Sequence, residues 1–353
     1  MPHLVRSEMM VRHGGSAVSG RRLRRLFLAV TSTVTVLTLT SGCGLLGGSD
    51  SSNQGSADSK VEKSKIKIAI IPSTDVGPLW VAKKNGYFTA EGLDVEIVNK
   101  PSGPDVVSAV IGGDADFGFA TYPVMVQAQL KGKGQTNLKI VADASAAKPD
   151  TTAVVVRKDS PLKSAADLQG KKIAVTARGT MADMGVMAGM RAAKADYSTI
   201  DWKQIGFADM LPKLQSGEID AAFFAEPFVT IAQAQAGVST VFQPMTGPLD
   251  GIALGGYMAS EEKTTKVHPK TVAAFQRAIK KAQEEAATPA GENAVKQALV
   301  DNANVKPDIA PVLHLPSYPV TTDPTRLQRV PDLLLEFNVI PQRFDIKPMI
   351  LTN

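Results

Sequence analysis

Ile66–Ile71 (IKIAII) is a short, β-branched and nearly unbroken apolar run, the pattern of a strand buried on both faces. Lys172–Thr176 (KIAVT) repeats it 105 positions later. After the first run the chain turns polar at Ser73-Thr74-Asp75, then takes up helical spacing from Pro78 to Gly86 and a second strand pattern over Leu93–Val98. After the second run come Ala177-Arg178-Gly179-Thr180 and a helix carrying Met181, Met184, Met187 and Met190. That spacing is what burial of one helix face demands, and it outweighs a soft-metal reading of the methionines. Strand, helix, strand in succession predicts parallel sheets flanked by helices.

The pattern is built twice. Residues 105–123 (DVVSAVIGGDADFGFATYP) and 209–227 (DMLPKLQSGEIDAAFFAEP) match at a fixed offset, pairing Asp105 with Asp209, Gly113 with Gly217, Asp116 with Asp220, Phe119 with Phe223 and Pro123 with Pro227. Chance would give about one such identity on ordinary residue usage. Each copy predicts a helix (Asp105–Ile111; Asp209–Gln215), a Gly-containing turn, a strand (Phe117–Ala120; Ala221–Ala225) and a second helix from Pro123 or Pro227. Asp105 and Asp209 are expected as N-caps. Asp116 and Asp220 are expected to fix turns rather than to act as paired catalytic acids. Thr152–Arg157 reads as a strand entering a second lobe, Ile252–Ala259 as the strand returning, and Lys270–Ala287 as an amphipathic helix packed back on the first lobe. The proline-rich stretch 307–331 has no assignable place.

Arg21, Arg22, Arg24 and Arg25 precede an apolar stretch, Leu26–Thr40, broken by five threonines and followed by Ser41, Gly42 and Cys43. This reads as a signal peptide over residues 1–42, whose apolar part, Leu26–Thr40, is too short to span a bilayer comfortably. Arg24-Arg25-Leu26-Phe27-Leu28 also resembles a twin-arginine export signal. Cys43, the one cysteine of the chain, excludes an intramolecular disulfide and resembles the lipid-modified first residue of a bacterial lipoprotein. Acyl chains there would tether the protein to the outer face of the cell membrane, through a Gly/Ser-rich linker that completes residues 43–64. Residues 1–42 carry six arginines and one acid, and the whole chain is +5, so the remainder is formally neutral. That leaves no concentrated basic face for a nucleic-acid partner. The remaining length suits two lobes, with residues 65–150 and the returning 259–353 forming one and 151–258 the other.

Catalytic chemistry is sparse. Beyond residue 43 the histidines are His268 and His314, so a Cys/His nucleophile pair is absent and a zinc site is not expected. The sequence contains neither a phosphate-binding G-x-x-x-x-G-K-[ST] loop nor a G-x-S-x-G elbow. No cofactor or metal is expected, and the reading is a binder rather than an enzyme.

Five stretches carry a resemblance: PLWVAKKNGYFTAEGLDVEIV (Pro78–Val98), GGDADFGFAT, SPLKSAADLQGKKIAV (Ser160–Val175), LQSGEIDAAFFAEPF and FDIKPMI. From about Lys65 to the C-terminus the chain resembles the solute-binding proteins of ABC importers for nitrate, sulfonates, taurine and thiamine-pyrimidine precursors. The resemblance implies the type II periplasmic-binding-protein fold: two α/β lobes, two crossing segments and a ligand cleft between the lobes. It also implies a small-molecule ligand, an ABC permease with its ATPase as partners, and action as a monomer. A small anion of the sulfonate, taurine or nitrate type is the first expectation, a pyrimidine-type heterocycle the second. A fold-related enzyme of pyrimidine or vitamin biosynthesis is the rival class, and the cysteine-rich motif of the fungal pyrimidine synthase is missing here. A sensor that signals to a membrane regulator is a further alternative.

Ligands of open α/β sheets sit beyond the carboxyl ends of the strands, where helix starts offer unpaired N–H groups. Those places hold Ser73, Thr74, Asp75, Thr121, Tyr122, Arg178, Gly179, Thr180 and Glu226, the candidate ligand-binding residues. Trp80, one turn into the first helix, could stack on a planar ligand or belong to the core. Arg178 could clamp an anion or pair with a neighbouring acid. Glu226 could meet a ligand's amine or simply favour a helix start.

Overall fold

The computed structural model describes residues 60–132 and 137–351. The expected signal peptide, Cys43 and nearly all of the linker lie outside them. In the first lobe β1 (Lys65–Ile70) leads through α1 (Gly77–Lys84) and the short α2 (Tyr87–Ala90) to β2 (Asp94–Asn99). Then follow α3 (Gly103–Gly112), β3 (Phe117–Thr121), α4 (Tyr122–Lys131) and β4 (Leu138–Ala146). The chain crosses into β5 (Thr152–Val156) and builds the second lobe from β6 (Lys172–Val175), α5 (Met181–Ala192), β7 (Asp201–Gln204), α6 (Phe207–Ser216), β8 (Ala221–Ala225), α7 (Phe228–Ala236) and β9 (Ser239–Phe242). It returns as β10 (Ala253–Ser260) and ends in α8 (Pro269–Ala286), α9 (Pro289–Asn302) and α10 (Pro324–Glu336).

The two sheets have one design. The first runs β2-β1-β3-β10-β4 and the second β7-β6-β8-β5-β9. In each, three strands are parallel, and the fourth, which arrives from the other lobe, lies antiparallel to both of its neighbours. The exchange of β5 and β10 gives the two crossing segments. Asp116 and Asp220 hold equivalent posts: each carboxylate accepts from the first turns of the neighbouring strand, at Lys67 N (3.0 Å) and Lys172 N (2.8 Å). The backbone amides of the same aspartates donate back to the carbonyls of Lys67 and Lys172. Both acids therefore tie the turns before β3 and β8 to the interior strands β1 and β6, each within its own sheet.

Asp105 and Asp209 do not cap their helices. The helices begin earlier, with Ser102 at the N-cap of α3 and Gly206 at that of α6, so each aspartate sits three residues inside, in the first turn. There a carboxylate still favours the positive end of the helix dipole. The methionines of α5 are all buried, as its periodicity requires.

The core has three parts. One lies between the first sheet and α1, α8 and α9, where Phe275 stacks on Phe117 with centroids 4.1 Å apart and meets Tyr257 edge-on. The buried face of α8 (Val272, Phe275, Ile279, Ala282) shows the expected helical spacing. A second packs α6 and α7 on the second sheet. The third runs from Val106 and Tyr122 of the first lobe to Met184 and Phe223 of the second, and includes Leu327, Val330 and Leu334 of α10. The proline-rich tail thus lies against both lobes. Among the described residues no helix is long and apolar enough to cross a membrane.

Candidate functional site

A cavity of about 160 Å³ lies where the carboxyl ends of the two sheets face each other. Its lining follows the internal repeat. Ile71 and Thr176, Asp75 and Thr180, Ser102 and Gly206, Gly103 and Phe207, Phe119 and Phe223, and Thr121 and Ala225 are equivalent positions of the two lobes, and every one of these lines the cavity. Duplication of a strand-turn-helix unit therefore places two strand ends and two helix starts on each side. Thr151 and Thr152, from the first crossing, form part of the wall, and Leu254, Met245 and Pro316 complete it.

The loop after β1 supplies the most polar wall. Ser73 Oγ donates to Asp75 Oδ2 at 2.8 Å, and Ser145 Oγ, buried on β4, donates to Asp75 Oδ1 at 2.6 Å. Both carboxylate oxygens are thereby fixed in place, and each retains a lone pair that can face the cavity. Thr121 Oγ1 is buried without a protein partner at the start of α4. The remaining walls are apolar or carry hydroxyls. Asp75 is the only acidic side chain among the described lining residues, and no lysine, arginine or histidine is among them.

Five sequence candidates, Ser73, Thr74, Asp75, Thr121 and Thr180, are brought together at this cavity. Five are placed elsewhere. Trp80 is buried in the first lobe's core. Tyr122 is wholly buried behind the cavity, its hydroxyl donating to Asp143 at 2.9 Å. Arg178 turns away to Asp183, 2.8 Å from its Nε, and lies 4.5 Å over the Trp202 ring. Asp183 also accepts from the amides of Gly179 and Thr180, so one buried carboxylate shapes the whole turn.

Gly179 and Glu226 join the lobes. The Gly179 carbonyl accepts from Gln127 Nε2 of α4. Gly179 has φ +70°, the left-handed region that favours glycine, and a Cβ there would fall 2.8 Å from the Gln127 amide, which would have to shift. The Glu226 carbonyl accepts from Thr74 Oγ1 at 3.3 Å. Its carboxylate is buried and directed into the first turn of α7, accepting from Thr230 Oγ1 (2.6 Å) and Thr230 N (3.2 Å), with His314 N at 3.4 Å. Burial pushes this carboxyl above its ordinary range, against the hydrogen bonds from Thr230 and His314. The helix-start reading of Glu226 is the one its contacts match.

Sequence reasoning missed Phe119, Phe223, Ser102, Gly206 and Thr176. Phe119 and Phe223 were visible as paired identities of the repeat, and Ser102, Gly206 and Thr176 lie just beyond the ends of β2, β7 and β6.

Two α/β lobes exchanging strands around a cavity at their facing strand ends define a periplasmic-binding-protein type of molecule. The chain belongs to the family described as NMT1/THI5 like, whose profile matches residues 73–291. The formylaminopyrimidine-binding protein of Halalkalibacterium halodurans is 28% identical over 170 residues, 48% of this chain and 49% of that protein. The chain thus spans about half the length of the curated relatives it matches. The alkanesulfonate-binding protein SsuA of Xanthomonas axonopodis pv. citri, solved bound to MOPS, superposes with a TM-score of 0.70 at 19% identity, over 83% of this chain and 99% of that one. The periplasmic nitrate-binding protein NrtA of Synechocystis gives 0.67 at 16% identity, over 81% and 85%. At these identities the two solved structures establish the fold.

Proposed function

We propose that the chain is the extracytoplasmic receptor of an ABC importer, held on the membrane through Cys43, and that it encloses a small, planar, amine-bearing heterocycle of the aminopyrimidine kind. It acts as a monomer and delivers the solute, chemically unchanged, to a permease and its ATPase. The observation that carries the ligand class is Asp75, the single acidic group in a cavity whose described lining holds no cationic side chain. A ring amine donating to Asp75 forms a charge-assisted hydrogen bond. An anion at about 4 Å from that carboxylate meets a repulsion of ~4 kcal/mol at an effective dielectric of 20. Phe119 and Phe223 offer flat walls from opposite lobes, and the threonine hydroxyls offer donors for ring nitrogens. The volume also suits one ring, since a cavity of about 150 Å³ accommodates benzene.

The anionic alternative is favoured by one feature, the starts of α3, α5 and α6, which present helix N-termini to the cavity. It lacks the counter-charge that Arg178 would have supplied as an anion clamp, because Arg178 takes the other of its two readings and pairs with Asp183. A thermal-shift screen separates the two. Formylaminopyrimidine at a hundred times its dissociation constant is expected to stabilise the fold by about 2.7 kcal/mol, with no response to taurine, an alkanesulfonate or nitrate. Stabilisation by the anions alone would reverse the assignment.

A further inference from the structure

The strand ends at the cavity are not the only junction between the lobes. α10 is fixed to the first lobe by an ion pair between Arg326 and Asp143, the latter buried on β4, and by packing against α4 and β10. Midway, Arg329 donates to the carbonyls of Pro248 and Asp250 in the returning crossing, both at 3.1 Å. Its far end reaches the second lobe. Glu336 Oε1 lies 2.6 Å from Arg191 Nη2, the Arg191 guanidinium sits 4.3 Å over the Phe337 ring, and Tyr197 meets the same ring edge-on at 5.6 Å.

Arg191 stands near the end of α5, whose start, Thr180–Ala182, is cavity wall. The helix is a rigid lever of about 16 Å between the two places, at 1.5 Å per residue. The anchorage of α10 on the first lobe is buried, whereas Arg191 and Glu336 are 43% and 52% exposed. The ion pair at the Arg191 end is therefore the less costly of the two to break. That contact coexists here with the two hydrogen bonds that close the lobes over the cavity, Thr74 to Glu226 and Gln127 to Gly179.

We infer that Arg191 and Phe337 are positioning residues that set ligand affinity without touching ligand: their contact holds α5, and with it the second-lobe wall of the cavity, in the closed arrangement. The inference rests on closure of the lobes around a solute. Losing the contact shifts the population toward open protein, and apparent affinity falls with the closed fraction.

The test uses the full chain carrying Arg191→Ala, with Arg277→Ala as control, since the latter removes an exposed ion pair to Glu91 within the first lobe. Small-angle scattering without ligand is expected to show a larger radius of gyration for Arg191→Ala than for wild type or control. Titration with formylaminopyrimidine is expected to show binding weakened roughly three- to tenfold, the size of one exposed cation–π or aromatic contact. Arg191→Lys, which keeps the cation, should recover most of both effects, and Glu336→Gln should give a smaller shift in the same direction. Scattering of Arg191→Ala identical to wild type overturns the inference. If formylaminopyrimidine binds neither protein, the ligand class fails while the scattering comparison still decides the role of Arg191.

Discussion

Asp75→Asn is expected to weaken capture of an aminopyrimidine roughly ten- to hundredfold, because a hydrogen bond to a charged group contributes about 1.5–3 kcal/mol. The substitution keeps the size of the side chain and leaves an acceptor for Ser73 or Ser145, so the loop after β1 should hold its shape. What disappears is the negative end of the cavity. Isothermal titration calorimetry measures the change, and the same variant should accept taurine or nitrate no worse than wild type. Undiminished aminopyrimidine binding by Asp75→Asn would remove Asp75 from recognition and with it the basis for preferring a cationic or amine-bearing solute.

Arg326→Ala is expected to cost about 3 kcal/mol of folding stability near pH 7.5, the lower end of what removing one partner of a buried ion pair costs. Asp143, whose side chain is 1% exposed beside Arg326, would keep only Tyr122 and the Ala144 amide as partners. Burial already raises the Asp143 carboxyl to about 6, with the Arg326 charge opposing the rise. A carboxyl whose folded pKa lies above its unfolded value adds stability when protonated, and that contribution is lost as pH rises through about 6. Without Arg326 the carboxyl should titrate higher still. The penalty of Arg326→Ala is therefore largest at pH 7.5 and shrinks toward pH 5, as urea midpoints at the two values would show. Adding Asp143→Asn should recover most of the loss at pH 7.5. An equal penalty at both pH values would mean that Arg326 acts through packing alone.

Much of the architecture was legible because burial writes itself into the chain twice. The strands β1 and β6, the repeated α3-β3 and α6-β8 units and the amphipathic α8 all follow from periodicity and turn residues. The crossings β5 and β10 were readable for the same reason. Asp75, Thr121 and Thr180 were legible as lining of the candidate cavity because they stand at or just beyond strand ends. What periodicity cannot tell is which way a side chain points. Arg178 occupies the position equivalent to Ser73, yet it turns to Asp183 five residues on and to Trp202, a partner brought close only by the fold. Tyr122 sits next to Thr121 but on the opposite side of the strand end, facing β4. The tail was opaque for another reason. The prolines of 307–331 left that stretch without a place, whereas Pro324 occupies the first turn of α10, where its missing N–H costs little, and Pro331 is tolerated further along by a helix anchored to both lobes.

The segment Leu313–Tyr318 shows why sequence order hides such anchors. Ser317 pairs with Ala146 at the first crossing, Tyr318 donates to the Thr74 carbonyl at 2.8 Å, and Pro316 lines the cavity. Residues more than two hundred positions from Thr74 thus set the shape of its loop.

Scattering from wild-type protein with and without saturating formylaminopyrimidine tests capture between the lobes most directly. The expected result is one equivalent bound, a smaller radius of gyration in the complex, and the ligand recovered intact. Stoichiometric binding with no change in the scattering curve contradicts enclosure by closing lobes, and conversion of the ligand to product contradicts its delivery unchanged.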